Sequence, residues 1–235
     1  MRRVMAKGAA PEKMTGVERD KLAKEALAEI AALRVRNTPA LRGVRRKLSA
    51  RLKHADPQDV KAVALALVKS GSKWLGYEII NLHRTTIKSL TLREVEALGQ
   101  GMASWVDTDT FGVLLSGAAW LEGRIGDADV KRWAKSKDFW WRRAALVSTV
   151  VLNAKSRGGG GDTRRTLMIA EMLVSDHEDM VVKAMSWALR SLVPWDAKAV
   201  RAFLEEYGED LAARVKREVR NKLRTGLKNP KTSRT

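Results

Sequence analysis

Trp105 and Asp109 stand four residues apart in the stretch Ser104-Trp105-Val106-Asp107-Thr108-Asp109-Thr110-Phe111, so a helix puts both on one face. An aromatic plate beside a carboxylate suits one kind of chemistry, the stabilisation of a sugar that is becoming positively charged. The negative charge offsets the developing cation, and the ring face adds a cation–π attraction of about 0.5–2 kcal/mol. The same residues also suit a structural role: Asp107, Thr108 and Asp109 could cap a helix and complement its dipole, with Trp105 filling a core. Asp107 is a poor second carboxylate, because residues i and i+2 point apart on a helix, and it fits a cap.

The remaining chemistry-bearing types narrow the choice. There is no cysteine, which excludes disulfides, zinc fingers and a cysteine nucleophile, and fits a reducing cytosol. His54, His83 and His177 are isolated in the sequence and are expected on the surface or in the core rather than as metal ligands. Gly158 to Gly161 is not a phosphate-binding P-loop, since no Gly-Lys-Ser/Thr follows at the required spacing; beside Arg157, Arg164 and Arg165 it is expected to be a flexible loop that could touch a polyanion. No cofactor and no metal are expected.

Charge identifies the class of partner. The net charge is +18, and it is concentrated at the chain ends. Residues 1–54 hold 15 Lys/Arg against 5 Asp/Glu, residues 214–235 hold 9 against 1, and residues 55–213 hold 21 of each. If the ends lie close together they make one positive surface, for which a nucleic-acid backbone is the natural partner. A soluble protein with basic tails is the plainer alternative. No apolar run approaches the ~20 residues of a membrane span, so no membrane is expected.

The elements that would position these residues are helices. Apolar residues at Leu22, Ala23, Ala26, Leu27, Ile30 and Leu33 make a helical stripe over Val17–Arg36. Thr38-Pro39 opens a second helix, whose Arg42, Arg45, Arg46, Lys47, Arg51 and Lys53 meet no acid and are expected to contact phosphates. Asp56-Pro57 opens a third, and Trp74–Ile87 is a fourth. Thr91-Leu92-Arg93-Glu94 has the spacing of a capping box. Further helices are expected over Trp105–Leu121, Asp127–Ala134, from Lys137-Asp138 to about Asn153, and over Thr163–Val174, Glu178–Leu192, Asp196–Glu206 and Gly208–Leu227. Trp120 and Trp133 have nothing polar to recommend them and are expected in the core. No alternating strand pattern appears. Arg143-Ala144-Ala145 precedes Lys183-Ala184-Met185 by 40 residues, each inside an amphipathic helix with an acidic start. A period near 40 in helix pairs is the spacing of HEAT-like arrays. The expectation is an all-α, HEAT-like repeat solenoid of about six antiparallel helix pairs with a concave basic face. Residues 17–227 would form one domain, 1–16 a flexible basic N-terminal arm and 228–235 a basic C-terminal tail.

On these helices the chain resembles the AlkD-type DNA alkylation repair glycosylases. Four motifs carry the resemblance, in order and at matching separations: Thr38-Pro39-Ala40-Leu41-Arg42; Ser104-Trp105 with Asp109; Phe139-Trp140-Trp141-Arg142-Arg143-Ala144-Ala145; and Lys183-Ala184-Met185-Ser186-Trp187-Ala188-Leu189-Arg190. It covers about residues 17 to 227. The resemblance implies an enzyme that removes cationic N3- or N7-alkylated purines from double-stranded DNA without flipping the base into the protein. It implies that Asp109 is the catalytic carboxylate, that Trp105 and Trp187 are aromatic plates against the lesion's deoxyribose and backbone, and that Arg143 and Arg190 hold phosphates. Arg42, Arg45, Arg46 and Lys183 are further expected DNA contacts. The residues alone leave other readings open: Trp187 in the core, Arg143 paired with Asp138 or Glu178, and Arg190 placed where a helix C-terminus favours a cation. The competing function is a non-catalytic HEAT-like module that grips bent, branched or damaged DNA; a helical protein scaffold is a third. A monomer in the cytoplasm, at the nucleoid, is expected.

Overall fold

The computed structural model describes residues 13–230, so the expected N-terminal arm and C-terminal tail fall largely outside the described residues. Among the described residues there are thirteen helices and no strand. The chain groups into two compact units, one up to Ser89 and one from Leu90 onward.

The first unit holds α1 (Gly16–Ala31), α2 (Thr38–Arg51), α3 (Pro57–Lys69), α4 (Lys73–Leu82) and the short α5 (Arg84–Ser89). Local signals start them. Thr15 and Glu18 form a capping box on α1, the Asn37 side chain caps α2, and Asp56 caps α3 ahead of Pro57. Glu29 pairs with Lys47 and Glu25 with Arg51, so α1 and α2 run in opposite directions as a pair. Gly76 lets α4 close on α3, since a Cβ there would lie 2.8 Å from the Ala64 carbonyl oxygen. The helix expected over Trp74–Ile87 is broken at His83, whose backbone turns extended. Its Nδ1 lies 2.6 Å from Thr86 Oγ1 and 3.1 Å from Thr85 Oγ1, bonds that compete with helix continuation. The first helix stops at Ala31 rather than Arg36, because Leu33 to Arg36 bury little.

The second unit alternates two layers. One layer comprises α6 (Leu92–Gly99), α8 (Asp127–Ala134), α10 (Thr163–Glu171) and α12 (Ala197–Glu206). The other comprises α7, α9 (Phe139–Leu152), α11 (Asp179–Leu192) and α13 (Ala213–Thr225), where α7 joins Trp105–Thr110, a π-helical turn Phe111–Ser116, and Gly117–Leu121. Long-range bonds link each helix to its counterpart one step along. In the first layer Glu96 accepts from Arg132 and Trp133, Asp127 pairs with Arg164 and Arg165, and Thr163 bonds Asp196. In the second, Arg143 meets Asp109, Asn153 donates to Ser191, and Ser186 donates to Glu218. The separations run from 32 to 38 residues, which is a repeat stacking on its neighbour. Among the described residues the second unit thus holds four helix pairs, and in the first unit α1 pairs with α2 and α3 with α4.

Two glycines fix how α7 meets α9. A Cβ at Gly112 would lie 2.6 Å from Val147 Cγ1, and one at Gly117 would lie 2.6 Å from Val151 Cγ2 and 2.7 Å from the Ser148 carbonyl oxygen. Five residues apart, these two glycines would sit about 140° from each other on an α-helix. The π turn, with its i→i+5 bonding, stacks them on one face. The contacts Asp109–Arg143, Gly112–Val147 and Gly117–Val151 advance in the same order along both helices, so α7 and α9 run in the same direction. The intervening α8 carries the chain back. Buried Ser116 Oγ and Ser148 Oγ, 2.7 Å apart, satisfy each other at this crossing. Gly117→Ala is expected to destabilise the protein by about 1–3 kcal/mol, because two backbone carbonyl oxygens, as well as the Val151 side chain, block the new methyl. Urea unfolding checks this, with Gly43→Ala on α2 as the control; nothing lies within 4 Å of a Cβ there.

Core and loop follow the same logic. Trp120 is fully buried and Trp133 nearly so, each with its indole N–H bonded, to Asp127 and Glu96. The glycine run, expected to be flexible, is packed. Gly159 presses on the end of α9, where a Cβ would lie 2.2 Å from the Val151 carbonyl oxygen, and Gly161 lies under the Trp195 ring. The Trp195 indole N–H donates to the Asn153 carbonyl and pins the loop. The last helix starts at Ala213 rather than Gly208, after a turn closed by Tyr207 carbonyl bonds to the Asp210 and Leu211 amides. No helix among the described residues is long and apolar enough to cross a membrane.

Candidate active site

Ser104 starts α7. Its hydroxyl accepts from the Asp107 amide at 3.1 Å, and the Asp107 carboxylate accepts from the Ala103 amide. The cap therefore uses Ser104 and Asp107 and leaves Asp109 free of that task. Asp109, the second-last residue before the π turn, faces α9. Both of its oxygens accept from one guanidinium: Arg143 Nε donates to Oδ1 and Nη2 to Oδ2, each at 2.8 Å. The third arm of Arg143, Nη1, donates to the Met180 carbonyl on α11. One side chain thus ties three consecutive repeats together at the carboxylate. Two-point pairing of this kind fixes orientation as well as distance.

Arg143 is 5 % exposed. It was expected to hold a phosphate, or to pair with Asp138 or Glu178. The structure turns it inward instead, because Asp109 on the neighbouring repeat offers a better matched acceptor than any group in its own helix. Burial pushes the Asp109 carboxyl above the ordinary aspartate range, and the hydrogen bond and charge of Arg143 pull against that rise. Arg143 occupies one lone-pair site on each oxygen of Asp109, which leaves the remaining sites for a water or a reacting cation. Trp105, one turn before Asp109, is 57 % exposed. A ring of that size left open at a helix start is available to a ligand rather than spent on the core.

The face of α11 next to this pair is specific. Val181, Val182, Ala184, Met185, Ser186, Ala188 and Leu189 are all buried. Met180, Lys183, Trp187 and Arg190 form the stripe that reaches solvent. Lys183 pairs with Asp179 at 2.6 Å. Arg190 Nε donates to Ser186 Oγ at 3.1 Å and stands 3.9 Å from buried Glu218, and burial lowers its pKa. Glu218 is the one acid of α13; Ser186, Arg214 and Lys228 also face it. Glu218 is a functional neighbour that charge and motif spacing leave unmarked; its one signal in the sequence is that it is a lone acid in so basic a helix. Arg214 links the two acids, bonding Asp179 at 3.0 Å. Lys183, Arg190, Arg214 and Lys228 together outnumber the two carboxylates they face, Asp179 and Glu218.

The other expected DNA contacts belong to the first unit. Arg42 and Arg46 are exposed on α2, with no partner among the described residues. Arg45 is held 3.4 Å from Glu78 on α4 and is less exposed than they are. Trp105, Asp109, Arg143, Lys183, Trp187 and Arg190 all belong to the second unit, on α7, α9 and α11, and among them Asp109 and Arg143 are in direct contact.

A comparison with protein families finds a match to the model described as DNA alkylation repair enzyme, over residues 18–223. No curated protein matches the chain. No solved structure matches it either.

Proposed function

Because the chain belongs to the DNA alkylation repair enzyme family, and DNA is the partner that membership implies, we propose that it is a DNA glycosylase. It would hydrolyse the N-glycosidic bond of cationic N3- and N7-alkylated purines in duplex DNA, acting as a monomer in the cytoplasm and without flipping the base. The observation that carries this reading is Asp109, held on both oxygens by Arg143 one turn from an open tryptophan.

The chemistry needs little else. An alkylated purine already carries positive charge, so the bond from C1′ to the purine nitrogen breaks with its electron pair going to the base. The base leaves neutral, and no general acid is required. Positive charge moves to the sugar as an oxocarbenium-like ion. The Asp109 carboxylate lies largely desolvated, where its attraction to that cation exceeds what water would allow. Its free lone pairs orient a water toward C1′, and the proton released on attack passes to the carboxylate or to solvent. Trp105 and Trp187 supply flat faces against the sugar and backbone. Arg143 acts by positioning Asp109, and Lys183 and Arg190 hold flanking phosphates. Arg42, Arg45 and Arg46 add phosphate contacts from α2.

The test is base release from a duplex oligonucleotide carrying one 7-methylguanine, read by cleavage at the abasic site, with 3-methyladenine and a bulkier adduct as further substrates. Release from any of them, and none from undamaged duplex, supports the reading. Damage-independent binding without release from any substrate would replace it with a non-catalytic DNA-gripping module. A pH profile adds a second check. Asp109 must be ionised to act, and burial raises its pKa. Enzyme-dependent release is therefore expected to fall as pH drops through a limb lying above the ordinary aspartate range. The spontaneous, acid-promoted loss of the base is subtracted as background.

A further inference from the structure

The exposed flank of α13, away from buried Glu218, carries charge that the site above does not use. Arg217, Arg220 and Arg224 lie at i, i+3 and i+7, on one exposed stripe, and none has a partner among the described residues. At about 100° per residue, Arg220 stands about 200° around the helix from Glu218, and Arg224 about 120°. Arg201 on α12 is likewise exposed and unpartnered. Arg201, Arg220 and Arg224, with Leu204, Glu205 and Leu223, line a groove of about 270 Å³. Glu205 is its single acid, and it makes no ion pair among the described residues.

Like charges at i and i+4 destabilise a helix by about 0.2–0.5 kcal/mol. Arg220 and Arg224 bear that cost unrelieved, and an external anion between them would reverse it. Three guanidiniums against one carboxylate match phosphate, whose oxygens accept the two-pronged bonds that arginine offers. The leucine floor is suited to the carbon face of a sugar. We propose that this α12–α13 groove is a second phosphodiester-binding site, which engages a DNA segment other than the one at Asp109. Such a site would tether the protein to DNA between lesions.

The triple variant Arg201→Ala/Arg220→Ala/Arg224→Ala tests this in the full chain. Binding to an undamaged ~40-base-pair duplex, and to one of its strands alone, is measured over a range of salt concentrations. Each neutralised phosphate contributes about 0.9 to the slope of log K against log salt on duplex and about 0.7 on single strands. The slope is expected to fall by about 2–3, with an affinity loss of at least about tenfold at low salt. The form that loses more phosphate contacts, taken as its fall in slope divided by its own factor, identifies the ligand as duplex or single strand. The corresponding triple lysine variant should keep the slope, and single-turnover base release should stay within about twofold of wild type. Slopes unchanged on both DNA forms overturn the proposal. So does loss of slope in the lysine variant, which would signal a damaged fold, and so does a parallel fall in base release, which would place these arginines on the lesion-bearing segment. Should wild type release no base at all, the salt slopes still decide the question, since they do not depend on catalysis at Asp109.

Discussion

Replacing Arg143 with alanine is expected to lower the stability of the protein by about 3–5 kcal/mol, the range for breaking a buried ion pair from one side. The change removes three hydrogen bonds at once, two to Asp109 and one to the Met180 carbonyl. It leaves the Asp109 carboxylate, whose side chain is 17 % exposed, desolvated and without its counter-charge. It also opens a void between α7, α9 and α11, where neighbouring side chains are close-packed. Urea unfolding measures the loss. Arg143→Lys should recover only part of it, because a single ammonium cannot span both oxygens and the carbonyl. The paired substitution Arg143→Met/Asp109→Leu should recover more, since an apolar pair leaves no uncompensated charge. That double variant should remain unable to release base. A loss below about 1 kcal/mol for Arg143→Ala would mean that the pair does not hold the repeats together.

The helices were legible in the sequence because burial and capping act over a few residues. The spacing of Val60, Val63, Ala64 and Leu67, and the Thr91-to-Glu94 capping box, are complete within one or two turns. The 40-residue step from Arg143 to Lys183 appeared because each basic residue is followed by a pair of buried apolar residues, Ala144-Ala145 and Ala184-Met185. What failed to show depended on partners a repeat away. The Asp109–Arg143 pair spans 34 residues, and nothing near either residue marks it, so nearer acids looked equally good to Arg143. The π turn at Phe111–Ser116 carries no propensity of its own; it exists because Gly112 and Gly117 both have to admit α9. Gly158 to Gly161 read as flexible because glycine permits motion. The structure uses the missing side chains instead, packing backbone against Val151, Leu152 and Trp195. The break at His83 arises from hydroxyls two and three residues on, which a periodicity argument does not weigh.

Asp109→Asn is expected to reduce base release by at least about 10²–10³-fold, the effect of removing one preorganised electrostatic group from a reacting centre. Asparagine keeps the shape and can still accept from Arg143 through one oxygen, so the helix contact survives in weakened form. It loses the negative charge that faces the sugar cation and one of the two acceptors that fix the guanidinium. Affinity for undamaged duplex should change by less than about threefold, because the phosphate contacts lie on other residues. The acid limb of the pH profile should vanish with the carboxylate.

The most direct measurement is single-turnover base release from a duplex carrying one 7-methylguanine, comparing wild type with Asp109→Asn at matched DNA occupancy. The expected result is a clear wild-type rate and an Asn variant near the spontaneous rate, with both proteins folded and bound. An Asn variant releasing base at the wild-type rate would contradict the assignment of Asp109 as the carboxylate that carries the reaction.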